Sequence, residues 1–219
     1  MLRIGVLGGT FNPVHSDHLE LASRCLKALR LDKVLFVPNA SPAYKDTARV
    51  SYCDRRAMLE LALKGRPEFE IADLEEDPAV HHYTYDTLKT LRGRLGERTP
   101  LFFLMGLDSL LYLDEWKRGL ELACLASLAV MLRQGFDLKS PKSAIAQFLK
   151  RTAVSDQDPE AFSKALLDPC GHTLLLHTRL HTVSSSALRA ELQGGRRGPL
   201  CDRYLCPEVA AYALAHRLY

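Results

Sequence analysis

The chain has 219 residues, 47% of them hydrophobic and 25% charged, the balance of a soluble globular protein with a sizeable core. A formal net charge of +3 is too small to argue for nucleic acid or an anionic membrane as a partner. No apolar stretch approaches the length of a transmembrane helix, and no signal peptide is expected ahead of Arg3.

In chain order, the short apolar run at residues 3–7 predicts a buried first strand. Gly8 and Gly9 follow, and are expected to turn the backbone sharply and bring it close to a ligand. Residues 18–29 then place Leu19, Ala22, Cys25, Leu26 and Leu29 at helical spacing. A strand, a glycine turn and a helix N-terminus make an anion site, because unpaired backbone N–H groups point at the ligand. His15 and His18 stand one helical turn apart at that point, where they can donate hydrogen bonds to phosphates. As a metal pair they lack a third ligand at a helpful local spacing, and an ordinary surface role is the other alternative.

Further short apolar runs at 34–37, 69–74, 101–105, 128–132 and 173–176 alternate with helical stretches at 54–63, 84–95 and 115–124. This alternation predicts an α/β fold with a parallel sheet and crossover helices on both faces. Ligands in such sheets lie outside the carboxyl ends of the strands, at the point where strand order reverses. Residues 38–45, 106–108 and 184–189 would join the glycine turn there. Residues 136–171 read as an excursion with helical patterns near 142–151 and 161–167, and residues 194–198 as a basic surface loop. Six cysteines show neither a Cys-x-x-Cys pair nor zinc spacing, and Cys25 and Cys124 fall on apolar helical faces. Buried reduced thiols in a cytoplasmic compartment are expected.

The last apolar run leads to Val183-Ser-Ser-Ser-Ala-Leu-Arg189, which opens a helix through Leu192. Serines in such a place commonly cap the helix by accepting an early backbone N–H. Alternatively Ser185, Ser186, the orphan amides and Arg189, about one turn along, grip phosphate oxygens together.

Residues 8–18, Gly-Gly-Thr-Phe-Asn-Pro-Val-His-Ser-Asp-His, resemble the signature Gly-Gly-[Ser/Thr]-Phe-[Asp/Asn]-Pro-x-His-x-Gly-His of the nucleotidyltransferase superfamily. They depart from it at one fixed position, Asp17, where the family has glycine. A carboxylate there either faces the triphosphate, which it would repel, or turns away. The 183–189 segment is similar to the Ile-Ser-[Ser/Thr]-[Ser/Thr]-x-[Ile/Leu]-Arg motif of the same superfamily. The resemblance implies a Rossmann-like doubly wound parallel sheet in one domain, 1–219, with a small helical C-terminal portion from about 184.

Other segments resemble bacterial nicotinate-nucleotide adenylyltransferases in particular. Residues 38–45, Pro-Asn-Ala-Ser-Pro-Ala-Tyr-Lys, are similar to that family's Pro-Asn-x-x-Pro-Pro-His-Lys loop, with Tyr44 in place of histidine. Tyr83-Thr84-Tyr-Asp-Thr-Leu resembles Tyr-Thr-x-x-Thr-Leu, with His82 in place of the preceding serine. Trp116 matches the position of the family's tryptophan beside the pyridine ring. The 103–110 segment resembles Ile-Ile-Gly-x-Asp-Ser-Leu, with Gly106 and Asp108 at the matching positions, and residues 205–219 resemble the family's terminal segment. The residue types also admit ordinary roles: a solvated loop lysine for Lys45, a core or interface ring for Trp116, a helix cap for Asp108.

The implied reaction is attack by the phosphate of nicotinate mononucleotide on the α-phosphorus of ATP, giving nicotinate adenine dinucleotide and pyrophosphate in NAD biosynthesis. Catalytic contacts are assigned to His15, His18, Lys45 and Arg189. Substrate binding is assigned to Gly8, Gly9, Thr10, Phe11, Tyr83, Thr84, Gly106, Asp108, Trp116, Arg133, Ser185 and Ser186. Magnesium (Mg2+) is expected to arrive on the triphosphate rather than in a dedicated protein cage. The expected partners are ATP and nicotinate mononucleotide, with no nucleic acid or membrane, and a homo-oligomer stays open. The alternatives are nicotinamide mononucleotide or another phosphate-bearing acceptor, and a nucleotide-binding sensor impaired by Asp17 and Tyr44.

Overall fold

The computed structural model describes residues 2–40, 50–132, 141–177 and 183–219. Seven strands form one parallel sheet: β1 (Ile4–Gly9), β2 (Lys33–Pro38), β3 (Phe69–Ile71), β4 (Leu101–Gly106), β5 (Ser127–Met131), β6 (Ala153–Ser155) and β7 (Thr173–Leu176). The sheet is parallel, as the alternation of runs predicts; its order is β3-β2-β1-β4-β5-β7-β6, so the winding reverses between β1 and β4. Helices α1 (Ser16–Ala28), α2 (Tyr52–Leu63), α3 (Thr84–Leu95), α4 (Leu107–Leu111), α5 (Ser143–Thr152) and α6 (Pro159–Ala165) connect them. Helices α7 (Ser185–Leu192), α8 (Pro199–Tyr204) and α9 (Pro207–Ala215) complete the chain. No helix among the described residues is long and apolar enough to cross a membrane.

The chain divides into two compact units that interleave along the sequence. The first comprises Met1–Leu7, Leu21–Val34 and Tyr83–Leu180; the second comprises Gly8–Glu20, Leu35–His82 and His181–Tyr219.

The core of the first unit is the ladder β4–β5–β7, with Leu104 opposite Ala129 and Ala129 opposite Leu174. Strands covered on both faces read as unbroken apolar runs, and every residue of β4 and β5 is buried. Gly5 in β1 lets the Leu31 side chain come close: a Cβ there would stand 2.7 Å from it, and that side chain would have to shift. Helices α5 and α6 bury Ile145, Phe148 and Phe162. Arg92 of α3 staples three loops by donating to the carbonyls of Thr99, Leu125 and Pro169 at 2.6–2.9 Å.

Three sequence expectations need correction here. Residues 115–124 do not form one α-helix; they contribute to two 3-10 turns, Leu113–Glu115 and Gly119–Cys124. Arg118 breaks the stretch at φ 53°, and Gly119 sits so close that a Cβ would fall 1.8 Å from the Leu113 carbonyl. The apolar run at 69–74 yields only a three-residue strand, and the 136–171 excursion contains the short edge strand β6.

The second unit is built on a chain of rings. Phe36 lies 5.7 Å from Phe11 and 5.4 Å from Phe69 between ring centroids. Met58 and Leu59 of α2, Leu188 and Leu192 of α7, Cys201 of α8 and Val209 of α9 are buried in the same unit. Helix α9 packs on α2 and α8 on α7, and the Tyr212 hydroxyl donates to Asp54 at 3.1 Å.

Candidate functional site

The second unit contains both halves of the expected phosphate site, from Gly8 to His18 and from Val183 to Arg189. The turn after β1 is not made by its glycines. Gly8 and Gly9 are the last two residues of the strand, and the left-handed residue is Phe11, at φ 47° ahead of a cis Asn12–Pro13 peptide. A bulky residue in that region costs roughly 1–3 kcal/mol and persists only where its surroundings hold it. Phe11 is 1% exposed, wedged against Phe36 and set edge-on to His18 at 5.1 Å. Gly9 makes room for it: a Cβ there would lie 3.1 Å from the Phe11 ring.

The turn delivers the chain into α1 with the two imidazoles together. His15 is 6% exposed, and its ring centroid is 3.9 Å from that of His18. The His15 carbonyl accepts from the His18 N–H at 3.0 Å, closing the first helical turn. The His15 backbone N–H donates to His18 Nδ1 at 3.3 Å. With Nδ1 as acceptor, neutral His18 carries its proton on Nε2, an atom that could then donate to an anion.

Three carbonyls of the turn are bound by donor side chains. Arg55 donates to the Thr10 carbonyl at 2.6 Å, Arg189 to the Asn12 carbonyl at 2.8 Å, and the Ser185 hydroxyl to the Pro13 carbonyl at 3.1 Å. Carbonyl dipoles that would oppose a phosphate are therefore matched by two guanidinium groups and a hydroxyl. The Asn12 side-chain oxygen accepts from the Tyr219 hydroxyl at 2.7 Å, and burial pushes that phenol above its usual pKa.

The serine run divides its work. Ser184 is the N-cap of α7 and accepts from the Ala187 N–H at 3.2 Å, so the capping role falls on this residue. Ser185 holds the turn, and Ser186 accepts from Arg189 at 3.0 Å. The two phosphate signatures thus meet directly.

Arg55 went unanticipated. It is fully buried, donates also to the carbonyls of Val50 and Ala40, and burial lowers its pKa. Its signal in the sequence is position: residue 55 shares the buried stripe of α2 with Met58, Leu59 and Ala62. Nearby, the Asn39 amide donates to the buried carboxylate of Glu75 at 2.6 Å, and Asn39 N–H to the Gly9 carbonyl at 3.1 Å. Asp17, the one departure from the signature, is 2% exposed, and its Oδ2 accepts from the Val183 backbone N–H at 3.0 Å.

The first unit holds the other group. Tyr83 is the N-cap residue of α3 and Thr84 its first helical residue. Trp116 ends the first 3-10 turn and stands edge-on to Phe103 of β4 at 6.3 Å. The structure brings these segments together through Lys117, whose ammonium lies 4.4 Å from the Tyr83 ring centroid and 2.9 Å from the Asp86 carboxylate. Arg118 stacks on Tyr85 at 3.9 Å. Gly106 closes β4 and is the N-cap residue of α4, so Asp108 does not cap that helix. The buried Oδ1 of Asp108 has no hydrogen-bond partner among the described residues, which suits it to accept a bond from a ligand hydroxyl. Lys45, its neighbour Tyr44, and Arg133 lie outside the described residues. The 38–45 loop beyond Ala40 lies there too. Among the described residues no group of three His, Cys, Asp or Glu could hold a metal ion.

A cytidylyltransferase-like family model matches residues 6–191. A protein of Laribacter hongkongensis described as a probable nicotinate-nucleotide adenylyltransferase is 37% identical over 218 residues, spanning 100% of this chain and 94% of that protein. The chain belongs to the nicotinate-nucleotide adenylyltransferase family. A family member from Cellvibrio japonicus is likewise 37% identical, over 99% of this chain and 98% of its own length. Among solved structures, the nicotinic acid mononucleotide adenylyltransferase of Plasmodium falciparum, complexed with NaAD, shares the fold at a TM-score of 0.74 and 18% identity. That alignment covers 100% of this chain and 98% of the Plasmodium chain.

Proposed function

We propose that the protein transfers the adenylyl group of ATP to nicotinate mononucleotide, forming nicotinate adenine dinucleotide and releasing pyrophosphate. The observation that carries this reading is the closure of Ser185 and Arg189 onto the Asn12–Pro13 turn, in a chain whose full-length relatives bear that name. The acceptor phosphate is a nucleophile without activation, so no serine or cysteine need be engaged. Its oxygen bonds to the α-phosphorus as the bond from that phosphorus to the bridging oxygen breaks, and the electron pair leaves with pyrophosphate. The protein's part is alignment and charge compensation. His18 donates from Nε2 to a phosphate oxygen, His15 supports it from the adjoining ring, and Arg189 supplies positive charge. ATP enters as its magnesium complex, the metal belonging to the substrate. Tyr83 and Trp116 offer aromatic faces to the pyridine ring, with Thr84 beside Tyr83 as a polar contact, and Asp108 accepts from a sugar hydroxyl. Six free thiols support a reducing, cytoplasmic setting.

The test is pyrophosphate release from magnesium-ATP with nicotinate mononucleotide and nicotinamide mononucleotide offered separately. Release with the nicotinate form at a kcat/KM well above the amide form is expected. Preference for the amide, or release with neither, overturns the assignment.

A further inference from the structure

A carboxylate is almost never buried unless it is paired or hydrogen-bonded, yet Asp17 is 2% exposed on the second residue of α1. Two features make that tolerable. The first turn of a helix favours negative charge. The second feature is the bond from Val183 N–H to Oδ2 at 3.0 Å, with the Ser16 hydroxyl reaching Oδ1 at 3.5 Å. Val183 immediately precedes the N-cap Ser184, so the bond fixes the chain at the entry to α7. Just beyond it Ser185 and Arg189 reach back to Pro13 and Asn12. Residues 12, 13 and 17 on one side and 183, 185 and 189 on the other are thereby joined at three points.

We infer that Asp17 is a positioning residue, whose carboxylate holds the Val183 amide and thereby seats the Ser184–Arg189 segment on the phosphate-binding turn. Its carboxylate is engaged by a backbone donor, and it acts on the reaction through Arg189 and the serines rather than by touching substrate. A glycine at 17 has no group to make this bond. This role rests on the adenylyl-transfer reading for its kinetic consequence, though not for its structural one.

The test uses the full chain with Asp17→Gly and Asp17→Asn. Asparagine keeps an oxygen that accepts the same N–H and discards the charge. Magnesium-ATP affinity is measured by equilibrium titration, KM for each substrate by pyrophosphate release, and amide exchange at Val183 by NMR. Asp17→Gly should weaken ATP binding and raise its KM about tenfold, the scale of one lost charge-assisted hydrogen bond. KM for nicotinate mononucleotide should change little. Exchange should quicken at Val183 and not at Phe103 or Val130 of the sheet, and Asp17→Asn should restore most of both properties. Unchanged ATP binding with unchanged Val183 exchange in Asp17→Gly overturns the role. So does an Asp17→Asn variant as impaired as Asp17→Gly, since the charge would then matter and not the tether. Should Asp17→Gly fail to fold, Asp17→Asn decides: Val183 protection within about twofold of the parent supports the tether, and its loss overturns it. The titration and exchange readings need no nicotinate substrate, so failure of the substrate assignment would be seen separately.

Discussion

The first unit fixes Gly106, Asp108 and Trp116 on short segments leaving or touching a buried parallel ladder, where strand pairing and apolar burial do most of the holding. The second unit fixes His15, His18 and Arg189 largely with side chains that bind backbone, from Arg55 to Thr10, Arg189 to Asn12, Ser185 to Pro13 and Asp17 to Val183. Ladders spread a loss over many bonds, and apolar surfaces can partly collapse around a missing atom. A side chain holds a partly buried carbonyl by a single bond, and removing it takes away that group's donor at one stroke. The segments around Asp108 and Trp116 should therefore tolerate change better than the 8–18 turn.

The largest expected effect is on chemistry in the second unit. His18→Ala should lower kcat by about 10²–10³, the usual cost of losing one aimed donor, with the thermal midpoint nearly unchanged. Turnover comparable with the parent would remove His18 from the reaction. Next comes stability. Arg55→Met leaves the carbonyls of Thr10, Val50 and Ala40 without their donor, and should cost about 3 kcal/mol in urea unfolding. A loss under about 1 kcal/mol would show that the turn does not depend on this hub. Trp116→Ala should act more gently, raising KM for nicotinate mononucleotide about tenfold while leaving KM for ATP alone. An equal rise in both would break the division of labour between the units.

The smallest effect is on acid stability. Asp73, in the second unit, is held below the usual carboxylate range chiefly by hydrogen bonds from Arg56, with a further one from Tyr52. A lowered folded pKa means that its contribution is fully present above the unfolded value, near pH 4, and fades as pH falls through the folded one. Urea midpoints measured from pH 7 down to pH 3 should drop less steeply in Asp73→Asn than in the parent. Parallel curves would exclude the carboxylate as a source of stability.

Much of this was legible beforehand. The runs that became β1, β2, β4, β5 and β7 were visible because strands covered on both faces need unbroken apolar residues, and their alternation with helices announced a parallel sheet but not the order of its strands. Motif spacing located His15, His18, Arg189 and the serines, and the structure brings them together. What stayed hidden depends on tertiary contact. Gly8 and Gly9 looked like the turn, while the left-handed position is Phe11, held there by Phe36, which lies 25 residues further along the chain. Residues 115–124 have helical spacing, but Gly119 packs against the Leu113 carbonyl and admits only 3-10 turns. The direction of the Asp17 carboxylate depended on an amide 166 residues away, which no local pattern encodes. Arg55 alone left a readable trace, a cation on an apolar helical stripe.

The bonds that tie the 8–18 turn to the 183–189 segment span 166 to 177 residues of sequence, and this sets a timetable for the newborn chain. At ribosomal rates the segment containing His15 and His18 waits roughly ten to thirty seconds for its partners to be synthesised. During that interval Phe36 becomes available to Phe11 and, soon after, Arg55 to the Thr10 carbonyl, but the carbonyls of Asn12 and Pro13 remain in water. Closure of so long a loop comes late, after the local elements have formed, because its entropy is repaid only by contacts at the far end. The nascent protein would thus complete this turn as one of its final folding events, when nearly every residue is already in place.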